Sequence, residues 1–158
     1  MATNSKMIAE NVILKFIDSY NENDMDGAMA CLADDFMWLG ESTNGAPMSK
    51  ERFRHMWSRF AVAFPDSKWE TVCMVVAGDT VAIDVIETGT FTKPWNWQGK
   101  TLWPTGKRYR SRICIFFRVN KYGLIQEREE EGTSIASRAR FVEQAGNRRS
   151  WLRHNHAT

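Results

Sequence analysis

Thr88-Gly89-Thr90-Phe91 leads through a tryptophan-rich loop to Pro104-Thr105-Gly106-Lys107 and then into an apolar strand that ends Phe116-Phe117-Arg118-Val119. Tyr122-Gly123 supplies a turn, and Leu124-Ile125-Gln126-Glu127-Arg128-Glu129-Glu130-Glu131 runs back. The first strand is β-branched and aromatic and the second is loaded with carboxylates. Such a pair, joined by a tight turn, predicts a curved sheet that carries acids beside an apolar face. That arrangement suits acid–base chemistry on a small apolar molecule.

Upstream of this pair, Lys68 to Val76 and Thr80 to Phe91 read as strands around an Ala77-Gly78-Asp79 hairpin turn. Three helices are expected before them. Asn4 or Ser5 can cap the first, which runs to about Tyr20 with Val12, Ile13, Phe16, Ile17 and Tyr20 at helical spacing. Asp24 caps a second, whose apolar face is Met25, Ala28, Met29 and Leu32. Phe36-Met37-Trp38-Leu39 follows as a short buried strand. Ser49 caps the third helix, Lys50 to about Phe64, with Phe53, Trp57, Phe60 and Ala61 inward; Pro65-Asp66 stops it. Thr92 to Trp103 reads as a loop, and Ser134 to Gln144 as a last helix. Helices first and strands clustered afterwards predict an α+β fold, with the early helices packed on one face of an antiparallel meander.

Composition narrows the function. A chain of 158 residues is long enough for one self-sufficient core, read as a single domain over 1–145 with a basic polar tail over 146–158. A net charge of +2 argues against nucleic acid as the main partner. The odd set Cys31, Cys73 and Cys114, with no metal-type spacing, reads as reduced core thiols in a cytoplasmic protein. No apolar run long enough for a signal peptide or membrane span follows the N-terminus. Phosphate loops, Ser-His-Asp patterns and metal-ligand spacings are all missing, so the chemistry is expected to need no cofactor and no metal. Seven Trp and eight Met exceed what a plain core needs and suit an adaptable apolar pocket, although a Trp-heavy core would read the same way.

Several short patterns resemble the SnoaL-like polyketide cyclase group of the nuclear transport factor 2-like superfamily. They are Phe16-Ile17, Tyr20-Asn21, Asp24-Met25-Asp26 and Leu32-Ala33-Asp34-Asp35-Phe36 in the first half. In the second half they are Gly89-Thr90, Pro104-Thr105-Gly106, Phe117-Arg118-Val119, Gly123, Ile125 and Glu127. The resemblance implies a cone, with N-terminal helices on a strongly bent antiparallel sheet around a cavity. It implies a cyclase, isomerase or lyase that works by proton transfer on an apolar, oxygenated, polyketide-like molecule. A non-catalytic ligand-binding protein of the same fold is the alternative, and an epoxide hydrolase of the limonene type the third. Ketosteroid isomerases carry a Tyr and an Asp where this chain has Phe16 and Gly40. Limonene-type hydrolases carry Arg, Asp and Asp where it has Val85, Glu87 and Thr133. SnoaL-like cyclases often carry a His where it has Phe91.

Two acids are therefore the candidates for catalysis. Glu87 shares a strand row with Val81, Ile83 and Val85, and its bland reading is a cross-strand ion pair with Arg110 or Arg112. Glu129 shares a row with Glu127 and Glu131, and its bland reading is a solvated charged face. Tyr20, Trp38, Trp57, Val85, Trp97 and Trp103 are the candidate ligand-binding residues. Trp95, Trp97 and Trp103 would cover the cavity or fill a dimer interface. His55 reads as a surface or interface residue. Ser111 to Phe117 is bulky on both rows, which predicts a homodimer through the sheet.

Overall fold

In the computed structural model, residues 2–40, 43, 46–97 and 99–132 are described. The expected last helix, the domain end at 145, the tail and Thr133 lie outside them.

Helix α1 (Ala2–Glu22) buries Ala9, Ile13, Phe16, Ile17 and Tyr20. These recur at three- and four-residue steps and so form one stripe. Asn23 ends the helix at φ 57, a left-handed conformation that Asn tolerates. Helix α2 (Met25–Ala30) starts at Asp24, whose side chain accepts from the Gly27 N–H at 2.9 Å. Helix α3 (Lys50–Ala63) starts at Ser49, which accepts from the Arg52 N–H at 3.4 Å. Both caps were legible because each supplies an oxygen to backbone donors that a helix cannot satisfy internally. Phe53, Trp57, Phe60 and Ala63 form the buried face of α3, while Ala61 is only half-buried.

The strands are β1 (Leu32–Gly40), β2 (Met48–Ser49), β3 (Lys68–Ala77), β4 (Thr80–Thr90), β5 (Trp95–Trp97), β6 (Lys100–Leu102), β7 (Arg108–Val119) and β8 (Ile125–Gly132). Six of them form an open sheet in the order β2-β1-β8-β7-β4-β3, and β5 pairs with β6 in a separate hairpin. The meander β3-β4-β7-β8 is antiparallel as expected. Strand β1 joins β8 in parallel, so the whole sheet is mixed. Three register shifts, between Leu32 and Met37, Thr71 and Cys73, and Arg118 and Val119, break the ladder. Irregularities of this kind bend strands and increase their twist.

Three expectations are corrected. Leu32, expected on the apolar face of α2, belongs to β1. The segment from Thr92 to Trp103 is not all loop but holds the β5–β6 hairpin. Of the three cysteines only Cys31 is a core residue; Cys73 is exposed and Cys114 intermediate. The last two sit opposite Asp84 on the outer row of the sheet, where alternation puts them.

The inner face of the sheet packs on α1 and α3. Val81, Ile83, Val85 and Glu87 alternate inward along β4, and Ile113, Ile115, Phe117 and Val119 along β7. The outer face leaves Val72, Val75 and Phe116 exposed, and Arg112 and Asp84 form an ion pair on it. No helix among the described residues is long and apolar enough to cross a membrane.

Asp66 ties the corner where α3 turns into β3. Its carboxylate accepts from the Thr90 N–H at 2.6 Å and from the Thr90 hydroxyl at 2.7 Å. Burial acts to raise its pKa, but the Thr90 hydrogen bonds and nearby Arg108 outweigh that and hold it below the ordinary carboxylate value. A lowered folded-state pKa means that the stabilisation is complete above about pH 4, the unfolded carboxylate range, and is lost as pH falls through the folded value. Asp66→Asn is therefore expected to lower the melting temperature at neutral pH. The gap from wild type should close as the pH is taken well below 4. A gap that stays constant through the acid range would remove Asp66 from the acid dependence of stability.

Candidate functional site

The interior site is assembled from three strands, β3, β4 and β8, and two helices, α1 and α3. Glu87 is 2% exposed and faces inward from β4. Its strand neighbours across the sheet are Trp69 on β3 and Ser111 on β7. The Trp69 indole N–H donates to Glu87 Oε1 at 2.9 Å, and the Tyr20 hydroxyl donates to the same oxygen at 2.6 Å. A hydrogen bond to an ionised partner contributes roughly 1.5–3 kcal/mol, so two of them are what a carboxylate this deep requires.

One proton on Tyr20 fixes the direction of the rest of the chain. Because Tyr20 donates to Glu87, its oxygen accepts from Ser67 Oγ, 2.8 Å away. Ser67 then has its own oxygen free to accept from Tyr109 Oη at 3.4 Å, a weaker link. Asn21 sets the spacing of these groups. Its amide accepts from the Trp69 backbone N–H at 2.7 Å and donates to the Trp69 carbonyl at 3.0 Å. This two-point clamp holds α1 against β3, and the Tyr20 ring stacks on Trp69 at 4.3 Å and 25°. Gly89 continues the inward row, and a Cβ there would stand 2.8 Å from the Tyr109 ring, so the close approach of Tyr109 needs a glycine.

The second polar element is a buried pair on β8. Arg128 is 5% and Glu130 3% exposed, and their side chains bond at 2.9 Å. The Arg128 guanidinium lies 4.4 Å from the Trp38 ring centre, 5.6 Å from that of Phe53 and 5.4 Å from that of Trp69. Aromatic faces carry negative charge and so offset part of the desolvation of the cation.

Between these elements remains a cavity of about 20 Å³, bounded by Tyr20, Phe53, Met56, Trp57, Phe60, Trp69, Glu87 and Arg128. The wide conical pocket expected from the resemblance is filled with aromatic rings. Phe16 alone packs against Phe53, Trp57, Trp69 and Phe117 at centroid distances of 5.9–6.5 Å.

Of the residues singled out by sequence, Glu87, Tyr20 and Trp57 come together on this cavity. Arg112, one of the two arginines weighed as a cross-strand partner for Glu87, binds Asp84 on the outer face, its Nε donating to Oδ1 at 2.9 Å. Trp38 is fully buried beside Arg128, and Val85 is fully buried in the core, but neither bounds the cavity. Trp97 lines an outer groove and Trp103 is 71% exposed, so neither covers the interior. His55 is on the surface, as expected. Glu129 is exposed and is removed from the interior site. Its error is one of parity. Ile125 does face inward, but the register shift opposite Arg118 and Val119 skips Gln126, so Arg128 and Glu130 take the inward row in place of Glu127 and Glu129.

Sequence reasoning missed Trp69, Ser67, Met56, Arg128 and Glu130. Trp69 sits opposite Glu87, which strand alternation and hairpin register could have shown; the bulge that turns Arg128 inward has no glycine or proline to announce it. Among the described residues, no group of three or more His, Cys, Asp or Glu is placed to hold a metal ion.

Arg128→Met is expected to destabilise the fold by about 3–5 kcal/mol, because it leaves Glu130 buried without its partner. Arg128→Met with Glu130→Leu should recover most of that loss in denaturant unfolding. A loss in the double variant equal to the sum of the losses in Arg128→Met and Glu130→Leu alone would show that the pair is not coupled.

The model of the SnoaL-like domain family matches residues 13–128, and the chain belongs to that family. No curated protein matches the sequence. Solved structures share the nuclear transport factor 2-like fold. AclR, a proposed hydroxylase from Streptomyces galilaeus, is 20% identical, with 80% of this chain and 90% of that one covered and a TM-score of 0.69. IdmH, a proposed polyketide cyclase from Streptomyces antibioticus, is 22% identical over 78% and 90%, with a TM-score of 0.65. TerC, crystallised with polyporic acid, is 10% identical over 86% and 98%, with a TM-score of 0.66. At these identities the structural likeness carries the fold.

Proposed function

We propose that this member of the SnoaL-like domain family is a cofactor-independent enzyme that relocates a proton on a small oxygenated apolar substrate, with Glu87 as the acid–base group. The observation that supports this is a carboxylate 2% exposed, held by two donors on one oxygen, at the wall of the cavity it shares with Arg128. A general base shielded from bulk water exchanges its proton with what is bound rather than with solvent. In the proposed step Glu87 takes a proton from a carbon next to a carbonyl. The electron pair moves onto the carbonyl oxygen, where the Arg128 cation stabilises the developing charge. Return of the proton at another carbon isomerises the molecule. Attack of the same carbanion on a second carbonyl closes a ring, the new alkoxide taking the proton back from Glu87, and departure of a β-hydroxyl as water, protonated by Glu87, gives a lyase.

A second reading, a non-catalytic binding protein, is favoured by the outer groove of about 620 Å³, where a ligand has room away from Glu87 that the interior cavity lacks. About 20 Å³ has room for one water, not for a polycyclic ligand. Under the enzyme reading, substrate must displace a side chain, and Met56 is the flexible one on the wall.

Glu87→Gln keeps an oxygen that accepts from Tyr20 and Trp69 and removes the proton acceptor. Turnover is expected to fall ~10²–10⁴-fold with the fold retained. Full activity in this variant would remove Glu87 from the mechanism. A loss of folding with activity kept in the surviving protein would assign the network to structure.

We also propose a homodimer through the outer sheet face, where Phe116 is 41%, Val72 48% and Val75 58% exposed in the single chain. Sedimentation should give the dimer mass at micromolar concentration, and Phe116→Glu should give the monomer. A monomeric wild-type protein would contradict this.

A further inference from the structure

A groove of about 620 Å³ runs between α3 and the β5–β6 hairpin. That volume is within the range of small-molecule sites. Arg52, His55, Met56 and Arg59 line one wall. They stand at i, i+3, i+4 and i+7 and so share one face of α3. Trp95 and Trp97 line the facing wall.

This wall is built, not adventitious. Trp95 is 2% exposed and meets Phe60 and Phe64 edge-on at 5.8 and 5.5 Å. Trp97 packs on Trp95 at 5.0 Å and remains half-buried, which leaves part of a fixed indole facing the groove. The Arg59 guanidinium donates to the Asn96 carbonyl at 3.0 Å and joins the two walls. A helix face that only meets solvent needs no aromatic wall across from it. Among the described lining residues the charges are uneven, with Arg52, Arg59 and His55 set against Glu51. A guanidinium and an indole that line one groove match a flat ring that bears an anion: the indole offers the ring a face to stack on, and the fork can bind two oxygens.

We propose that this groove is a binding site for a planar aromatic carboxylate. Its position gives the site a role next to the interior. Met56 bounds both the groove and the Glu87 cavity, so its thioether side chain lies on the border of each. The groove holds the ligand at the threshold of the interior. This binding requires no proton transfer at Glu87, so a failure here leaves the chemistry proposed for Glu87 standing, and an inert Glu87 leaves the groove standing.

The test is titration of the full chain with naphthoate, followed by tryptophan fluorescence and calorimetry, with uncharged naphthylmethanol as the matched neutral probe. Naphthoate is expected to quench fluorescence and to bind about tenfold or more tightly than naphthylmethanol, the scale of a charge-assisted hydrogen bond. Arg52→Ala should weaken naphthoate about tenfold and leave naphthylmethanol nearly unchanged. Trp97→Ala should weaken both probes. Arg59→Lys keeps the charge if the loss of the fork disturbs the hairpin, and should weaken naphthoate with an unchanged melting temperature. Lys121→Ala, which removes a cation outside this groove, should change neither probe. Equal affinity for the two probes, indifference to Arg52→Ala, or no binding at roughly millimolar probe would overturn the assignment.

Discussion

A carboxylate withdrawn from water must find donors, and in this protein the donors for Glu87 come from elements distant in sequence. Tyr20 arrives on α1 and Trp69 on β3, 67 and 18 residues away. Each can reach the carboxylate only if α1 lies across the sheet at one height and one rotation. Asn21 enforces that height by holding both backbone groups of Trp69. The helix stripe, the edge strand and the acid are therefore solved together. Leaving a buried carboxylate unsatisfied would cost several kcal/mol, a large part of the stability of a domain of this size.

The second constraint is parity. On β8 a single skipped residue decides whether two acids or an Arg–Glu pair face the interior. With Arg128 inside, the cavity holds a cation as well as a carboxylate, and the cation is sandwiched among Trp38, Phe53 and Trp69. This composition differs from the acid-rich wall that an unbroken strand would build. It makes stabilisation of an oxyanion part of the chemistry open to the site.

Aromatic rings fill the cone, and room for a larger molecule lies outside it, in the groove along α3. Two spaces of unequal size share Met56, an unbranched apolar side chain with three rotatable bonds. Packing thus separates the place where a ligand has room from the place where a buried acid could act.

The sequence alone determined the helix caps at Asp24 and Ser49, the apolar stripes of α1 and α3, the antiparallel meander and the inward row that ends at Glu87. These follow from local rules: an oxygen near free backbone N–H groups, a repeat of 3.6 or 2 residues, a turn that needs glycine. The family resemblance added the fold, and Tyr20 was legible as a hydroxyl near the site. Only the tertiary structure decided that Tyr20 donates to Glu87, that Trp69 joins it, and that β1 runs parallel to β8. It alone exchanged Glu129 for Arg128, since a bulge is set by how two strands pair and not by any residue within one of them. It also set the fate of the tryptophans. Trp38 and Trp57 fill the interior, Trp97 lines a groove and Trp103 faces solvent, because what covers a ring depends on which distant surface folds against it.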